Sequence, residues 1–324
     1  MPTVLEPKAQ LTPASSSAPT PLVSVLMPAF NAGQYLSESV QSILDQTYPH
    51  FELLILDDGS SDDTYPIAKS FGDARIRVLR HEHNQGLVIT RNDLVQEAKG
   101  KYIAFLDADD IALPRRLEAQ VQLLETNTVD LCGTDHFTLN EVTGKLKKSK
   151  QVHSDADIRA MMVVASPLCN PSVTGKAELF TQNTFETGTD VVEDYALWQK
   201  LSIAGYRFAN LKENLLIYRV HASQISQNKL AEKRSVVAKH QEDYIAALGI
   251  DPQLRPRPLP WLKRLYIAPL FLWQLNSVIA GVSIKANYQI YARFQHRGNG
   301  LWTPLTRLER LLMAVIASTK GLLG

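Results

Sequence analysis

Residues 102–114 read YIAFLDADDIALP. Tyr102 to Leu106 form a short apolar run of strand-forming residues that delivers three carboxylates, Asp107, Asp109 and Asp110, before Pro114 marks a new element. Acids this close repel one another, and a domain tolerates them where a cation neutralises them or solvent screens them. In extended chain, residues two apart point the same way, so Asp107 and Asp109 can face one site together. The stretch is read as a divalent-metal site, with a solvated acidic turn as the alternative.

Upstream, FELLILDDGSSDDT (51–64) repeats the pattern, with Asp57 and Asp58 directly after an apolar run. LVSVLMP (22–28) is a compact run ended by Pro28 and predicts a strand buried on both faces. AFNAGQYL then leads into a helix whose Tyr35, Leu36, Val40, Ile43 and Leu44 fall at helical spacing, and Pro49 closes the segment. A helical stretch from Thr64 to Phe71, the strand IRVLRH, the loop HNQGLV and a helix carrying Arg91 lead to the acidic stretch. Strands alternating with helices predict βαβ units with right-handed crossovers and a mostly parallel sheet. Ligands of such sheets bind at the carboxyl ends of the strands, where both acidic runs lie.

Downstream, RRLEAQVQLLETN (115–127) predicts an amphipathic helix and VDLCGTDHFTL (129–139) a strand. Residues 140–157 are polar and lysine-rich, an exposed hairpin or loop; Lys145, Lys147, Lys148 and Lys150 either touch an anionic acceptor or are simply solvated. The turn-rich SPLCNPS (166–172) precedes Glu193-Asp194-Tyr195, a helix ALWQKLSIAGY, a strand FANLKENLLIYRVH (208–221) and a long helix to about Leu248.

The 324 residues suffice for one large domain with an appendage. A hydrophobic content of 45% and a charged content of 21% are ordinary for a globular protein, and a net charge of +1 gives no global case for nucleic acid. Two distant cysteines, Cys132 and Cys169, suggest neither a disulfide framework nor a zinc site and fit a reducing cytoplasm. Residues 1–21, rich in Pro, Ser, Thr and Ala, read as a disordered leader and not a signal peptide. RPRPLP (255–260) reads as a linker. Residues 265–284 carry no charge and match a membrane span in length, but Pro269, Gln274, Asn276 and Ser277 lower their hydrophobicity. That run and LERLLMAVIASTKGLLG (308–324) suit amphipathic helices on an anionic membrane surface; packing on the main domain, or on a second copy in a homo-oligomer, is the alternative.

Four stretches in order, VSVLMPAFNAGQYLSESVQSILDQTYPHFELLILDDGSSDDT, NQGLVITRN, FLDADDIALP and EDYALWQKL, together resemble family 2 inverting glycosyltransferases with the GT-A fold. The resemblance covers about residues 22–226. It implies an α/β, Rossmann-like domain over 22–248, with a nucleotide-sugar-binding half (22–115) and an acceptor half (116–248), followed by a helical extension over 252–324.

It also implies site residues. Pro28, Ala29 and Phe30 match the stretch against the nucleobase, where an aromatic ring can stack, although Phe30 also reads as a core aromatic. Asp58 matches the acid that accepts from the base's N3 imide, which selects uracil over cytosine but also allows thymine or guanine, and Asp57 shapes the pocket. Arg91 matches a basic residue near the donor diphosphate; a surface arginine paired with Asp93 or Glu97 is the alternative. Asp107 and Asp109 match the DxD pair, with Asp109 on Mg2+ or Mn2+, Asp107 towards ribose or a metal-bound water and Asp110 supporting the loop. Asp194 matches the catalytic base, with Glu193 as the neighbouring candidate and a dipole-stabilised helix start as the alternative. Tyr218 to His221 resemble a segment folding back over the diphosphate, with Arg219 binding substrate and His221 on metal or phosphate, or else a surface histidine.

Leu94 stands where the family often has Gly, and no Gln-x-x-Arg-Trp motif follows Asp194, which argues for one sugar per encounter. The expected partners are a nucleotide-sugar donor, a UDP-sugar above others, and a saccharide or lipid-linked acceptor, on the cytoplasmic face of the membrane. A non-catalytic nucleotide-sugar-binding module is the alternative. Pro-Ala-Phe-Asn-Ala-Gly after the first strand lacks the glycine-rich turn of a dinucleotide dehydrogenase.

Overall fold

The structure is a computed structural model that describes residues 20–189, 192–222, 224, 230–257 and 261–294. Most of the leader, the last predicted amphipathic segment (308–324) and the end of the Pro-rich linker lie outside the described residues. Strand β1 (Val23–Ala29) is buried along its whole length. Val23, Val25 and Met27 join one core with Leu36, Val40 and Ile43, whereas Leu26 joins a second with Phe105, Phe180 and Trp198. Burial on both faces is why the run lacks polar alternation. The strand also runs through Pro28 instead of ending there: pairing with the strand of the acidic stretch stops at Leu26, so no ladder bond on that side calls for the missing N–H.

After β1 come α1 (Gly33–Leu44), β2 (Phe51–Asp57), α2 (Thr64–Ser70), β3 (Ile76–Arg80), α3 (Leu87–Glu97) and β4 (Tyr102–Phe105). The order β3-β2-β1-β4 is parallel throughout, and β2 and β4 flank β1. Asp57-Asp58 and Asp107 to Asp110 therefore emerge from the same edge, on either side of Phe30. Helix α3 continues through Leu94, which is fully buried, so the departure from glycine there leaves the helix intact.

Beyond β4 the sheet, nine-stranded among the described residues, becomes mixed. The elements are β5 (Ile111–Ala112), α4 (Arg116–Glu125), β6 (Leu131–Asn140), β7 (Lys145–Ser149), α5 (Asp155–Met161), β8 (Thr174–Lys176), α6 (Ala177–Gln182), α7 (Glu193–Ile203), β9 (Phe208–Val220) and α8 (Leu230–Ala247). Short β8 pairs antiparallel with β4 and β6, β9 lies parallel to β6, and β5 pairs antiparallel with β9. The end of β9 is thereby carried back to the acidic loop. The lysine-rich segment is a hairpin in which β7 pairs only with β6.

The uncharged run 265–284 falls mainly in α9 (Trp261–Val278), which is followed by α10 (Ile284–Ala292). Ala268, Phe271, Leu272, Leu275, Ile290 and Tyr291 join the same core as Trp198, which is the packing alternative for this run. Among the described residues no helix is long and apolar enough to cross a membrane. Leu270, Trp273, Ile284 and Tyr288 remain exposed.

Candidate active site

Phe30 at the end of β1 is 46% exposed, so it is not a core aromatic, whereas Pro28 and Ala29 are buried. The Ala29 carbonyl accepts the Asp58 amide (2.9 Å), tying the two strand ends together. Asp58 is 3% exposed and accepts from the amides of Gln85 and Gly86 (2.9 Å each). Its Oδ1 also lies 2.7 Å from His81 Nδ1, and His81 Nε2 is 3.0 Å from Asp93. Asp58 thus anchors the 84–86 loop, and one lone-pair position remains for an incoming N–H. Gly59 allows this closure: its φ is +70°, and a Cβ there would meet the His83 backbone at 2.6 Å. Asp57 is fully buried, accepts from the Ser60 amide (3.2 Å) and pairs with Arg80 (3.0 Å).

Arg91, from α3, is 3% exposed and reaches neither Asp93 nor Glu97. One guanidinium nitrogen donates to Asp107 (3.1 Å) and another to Glu193, and the cation sits 5.6 Å from the Phe185 ring centre. Beside it, Asn92 exchanges two hydrogen bonds of 2.9 Å with the Phe185 backbone. The Arg-Asn dipeptide therefore latches the segment leading to α7 onto α3 beside the parallel part of the sheet. Arg91 is the counter-charge of a buried acidic cluster, and its fork is occupied by the carboxylates of Asp107 and Glu193. Burial alone would depress its pKa, but Glu193, Asp107 and Asp194 together raise it. Burial pushes Glu193 up to about 7 against the pull of Arg91, and burial and Asp109 push Asp107 up likewise.

Asp194 lies in the first turn of α7, half-buried, and its Oδ1 accepts the Tyr195 amide (2.7 Å). Among the described residues no other group bonds its second oxygen.

At the far side of the acidic loop, Asp110 is fully buried and accepts the Arg219 amide (2.8 Å), with its carboxyl pushed well up by burial and by Asp109 and Asp107. Arg219 is a strut: Nε donates to the Asp109 carbonyl (2.7 Å), Nη2 pairs with Glu38 (2.6 Å), and the guanidinium lies 4.9 Å from the Tyr35 ring centre. Tyr35 donates its hydroxyl to Glu141, and its ring lies 4.7 Å from that of His221. The sequence placed Tyr35 only on an apolar helix face, and nothing local links it to Glu141, 106 positions away.

Asp109 Oδ2 and His221 Nε2 are 2.8 Å apart. Adjacent donors of an octahedral shell with bonds of about 2.1 Å stand about 3.0 Å apart, so one hard cation fits between these two atoms with little movement. Among the described residues no cluster of three or more His, Cys, Asp or Glu side chains is arranged to hold a metal alone.

A family model described as "Glycosyl transferase family 2" matches residues 24–188. The chain is 33% identical over 277 residues to the Escherichia coli "UDP-Glc:alpha-D-GlcNAc-diphosphoundecaprenol beta-1,3-glucosyltransferase WfgD", covering 82% of this chain and 95% of that protein. In fold it is similar to TarS from S. aureus in complex with UDP-GlcNAc (TM-score 0.57, 16% identity, covering 84% of this chain and 89% of that one). It is also similar to the mannosyltransferase PcManGT from Pyrobaculum calidifontis in complex with GDP-Man and Mn2+ (TM-score 0.53, 19% identity, covering 94% and 88%). The motif order, the parallel sheet with acids at its carboxyl edge and the family match over half the chain agree: this protein belongs to glycosyl transferase family 2 and has the GT-A fold.

Proposed function

We propose that the chain is a metal-dependent inverting glycosyltransferase that moves one sugar from a UDP-sugar to a hydroxyl of a saccharide or lipid-linked acceptor, in surface polysaccharide or glycolipid synthesis. The observation that carries this reading is the Arg91 bridge, which joins Asp107 of the donor acids to Glu193 and so fixes the start of α7, with Asp194, on the same cleft. A UDP donor and a lipid-diphosphate acceptor are favoured by the activity in the name of the E. coli relative.

In this reading Phe30 stacks on the base and Asp58, already anchoring the 84–86 loop, accepts its imide N–H. Asp109 and His221, with Asp107 towards the ribose, hold Mg2+ or Mn2+, which when bound neutralises the departing diphosphate. The free oxygen of Asp194 takes the acceptor hydroxyl's proton as that oxygen bonds to C1 from the face opposite the nucleotide. The C1–O bond to phosphate breaks, the nucleoside diphosphate leaves, and the configuration at C1 inverts. Burial pushes Glu193 up to about 7, so near pH 7 it is only partly ionised, and Arg91 offsets the charge it carries beside Asp194.

The acceptor side is open to an anionic lipid surface. Lys145, Lys147, Lys148 and Lys150 are exposed on the hairpin and make no ion pair among the described residues, and Trp273 and Tyr288 are exposed on the last helices. Peripheral attachment to the inner membrane face follows from this reading.

The test is turnover of a panel of nucleotide sugars with Mg2+ or Mn2+. At least one UDP-sugar is hydrolysed or transferred, and Asp109→Ala abolishes metal-dependent donor binding. No turnover and no metal-dependent binding of any donor contradicts the proposal.

A further inference from the structure

Helix α1 turns a polar stripe to the acidic loop. Tyr35, Ser39 and Ser42 on α1 and Gln46 just past its end recur at intervals of four, three and four, so they share one face, and all four are buried. Each holds a different part of the chain that carries the acids. Ser39 Oγ donates to the Ala108 carbonyl (2.8 Å), in the peptide that joins Ala108 to Asp109. Ser42 Oγ accepts the Ala112 amide (3.1 Å), Gln46 Nε2 donates to the Leu113 carbonyl (2.9 Å) and Gln46 Oε1 accepts the Leu117 amide (3.0 Å). Tyr35 acts at the other end of the stripe: its ring lies against Arg219 and His221, which hold the carbonyl and the carboxylate of Asp109.

Helix formation does not explain the two serines. A buried alanine would suit either position better by propensity, because a serine hydroxyl competes for backbone groups. Ser42 donates to the Ser39 carbonyl (2.7 Å) in that way, and the Tyr35 carbonyl lies 3.3 Å from Ser39 Oγ, but the shorter Ser39 bond leaves the helix for Ala108. Asp107 and Asp109 flank Ala108, and their carboxylates repel one another and the fully buried Asp110. Asp107 is directed to Arg91 (3.1 Å) and Asp109 to His221 (2.8 Å). A fixed peptide between the two acids keeps both aims against the repulsion. Among the described residues Ser39 is the one side chain that bonds the Ala108 backbone.

We propose that Ser39 is a positioning residue of the metal site. It touches neither substrate nor cation; by holding the Ala108 carbonyl it keeps Asp109 Oδ2 across from His221 Nε2, at the separation one hard cation spans. The inference rests on the metal-dependent reading above, since only a bound cation makes the aim of Asp109 matter.

The test compares full-length wild type, Ser39→Ala and Ser42→Ala. Each variant loses one buried hydroxyl and leaves one backbone group of the acidic loop without its partner, so both melt lower than wild type by a similar amount. Free Mn2+ is followed by its electron paramagnetic resonance signal in titrations with UDP present, and metal-free UDP binding is followed by calorimetry. Ser39→Ala weakens Mn2+ binding about tenfold to a hundredfold, the scale of a lost outer-shell contact, while Ser42→Ala leaves it within about threefold and metal-free UDP affinity is unchanged in both. A hydrogen bond that served only to hold the loop would lower the melting point, as Ser42→Ala calibrates, without singling out the metal. Mn2+ affinity of Ser39→Ala within about threefold of wild type overturns the inference, as does an equal loss in both variants, metal-free UDP binding that falls in step, or failure of Ser39→Ala to fold, since each makes the hydroxyl structural. Failure of the metal-dependent reading looks different: wild type itself then shows no UDP-dependent uptake of Mn2+.

Discussion

Arg91→Met isolates the bridge that holds the two halves of the cleft together. The substitution keeps an unbranched side chain and removes a cation shared by Asp107 and Glu193 in a site where Arg91 is 3% exposed. Breaking a buried pair from one side typically costs about 3–5 kcal/mol, because the remaining carboxylates stay buried without compensation. For a chain of 324 residues that lowers Tm by roughly 1–2 °C per kcal/mol. The penalty must depend on pH. Glu193 is held at about 7 in the folded chain, above its ordinary 4.5, so its contribution is fully present below the ordinary value and is lost as pH rises through about 7. Without Arg91, which opposes that rise, the folded value climbs further and the loss extends over more of the range. Urea unfolding followed by tryptophan fluorescence should show a difference between wild type and variant of about 3–5 kcal/mol at pH 8 that shrinks towards pH 5.5. A penalty below about 1 kcal/mol, the scale of an exposed ion pair, or one that is the same at both pH values would refute the bridge as the electrostatic keystone of the site.

Two further outcomes follow from exposed groups. Phe30→Ala should weaken UDP binding by about 1–3 kcal/mol, the scale of base–aromatic stacking, with stability within about 0.5 kcal/mol of wild type; titration calorimetry showing unchanged UDP affinity would remove Phe30 from the base site. Replacing Lys145, Lys147, Lys148 and Lys150 with Gln should weaken binding to vesicles rich in phosphatidylglycerol by roughly a thousandfold at about 1 kcal/mol per lysine, without effect on neutral vesicles; a wild-type chain that never sediments with anionic vesicles contradicts membrane attachment.

The parallel half of the sheet was legible because its signals are local. β1, β2 and β4 are doubly buried runs, and the acids that follow them fall on one edge as a consequence of parallel pairing, which strand–helix alternation already implies. The contacts that organise the site were not legible. For Arg91 the sequence offers a diphosphate contact or, as the alternative, its helix neighbours Asp93 and Glu97; burial of α3 against the sheet turns it instead towards Asp107 and towards Glu193, 102 positions on. Tyr35 reads as one more apolar position of α1, and its hydroxyl bond to Glu141 exists only because β9 returns to the acidic loop and carries Arg219 and His221 beneath it. For 265–284, composition left membrane surface and protein core open, and helical phase shows that Phe271, Leu272 and Leu275 face the core while Leu270 and Trp273 face outward.

Asp194 carries the central step of the proposed transfer. Rapid-quench measurement of sugar transfer by Asp194→Asn, with donor affinity measured in parallel, is predicted to give nucleotide-sugar binding within about twofold of wild type and transfer reduced by about 10²–10⁴-fold, the scale of a lost general base. Undiminished transfer would contradict the assignment of the base, and with it the reading of the Arg91-bridged cleft as the place where the acceptor is activated.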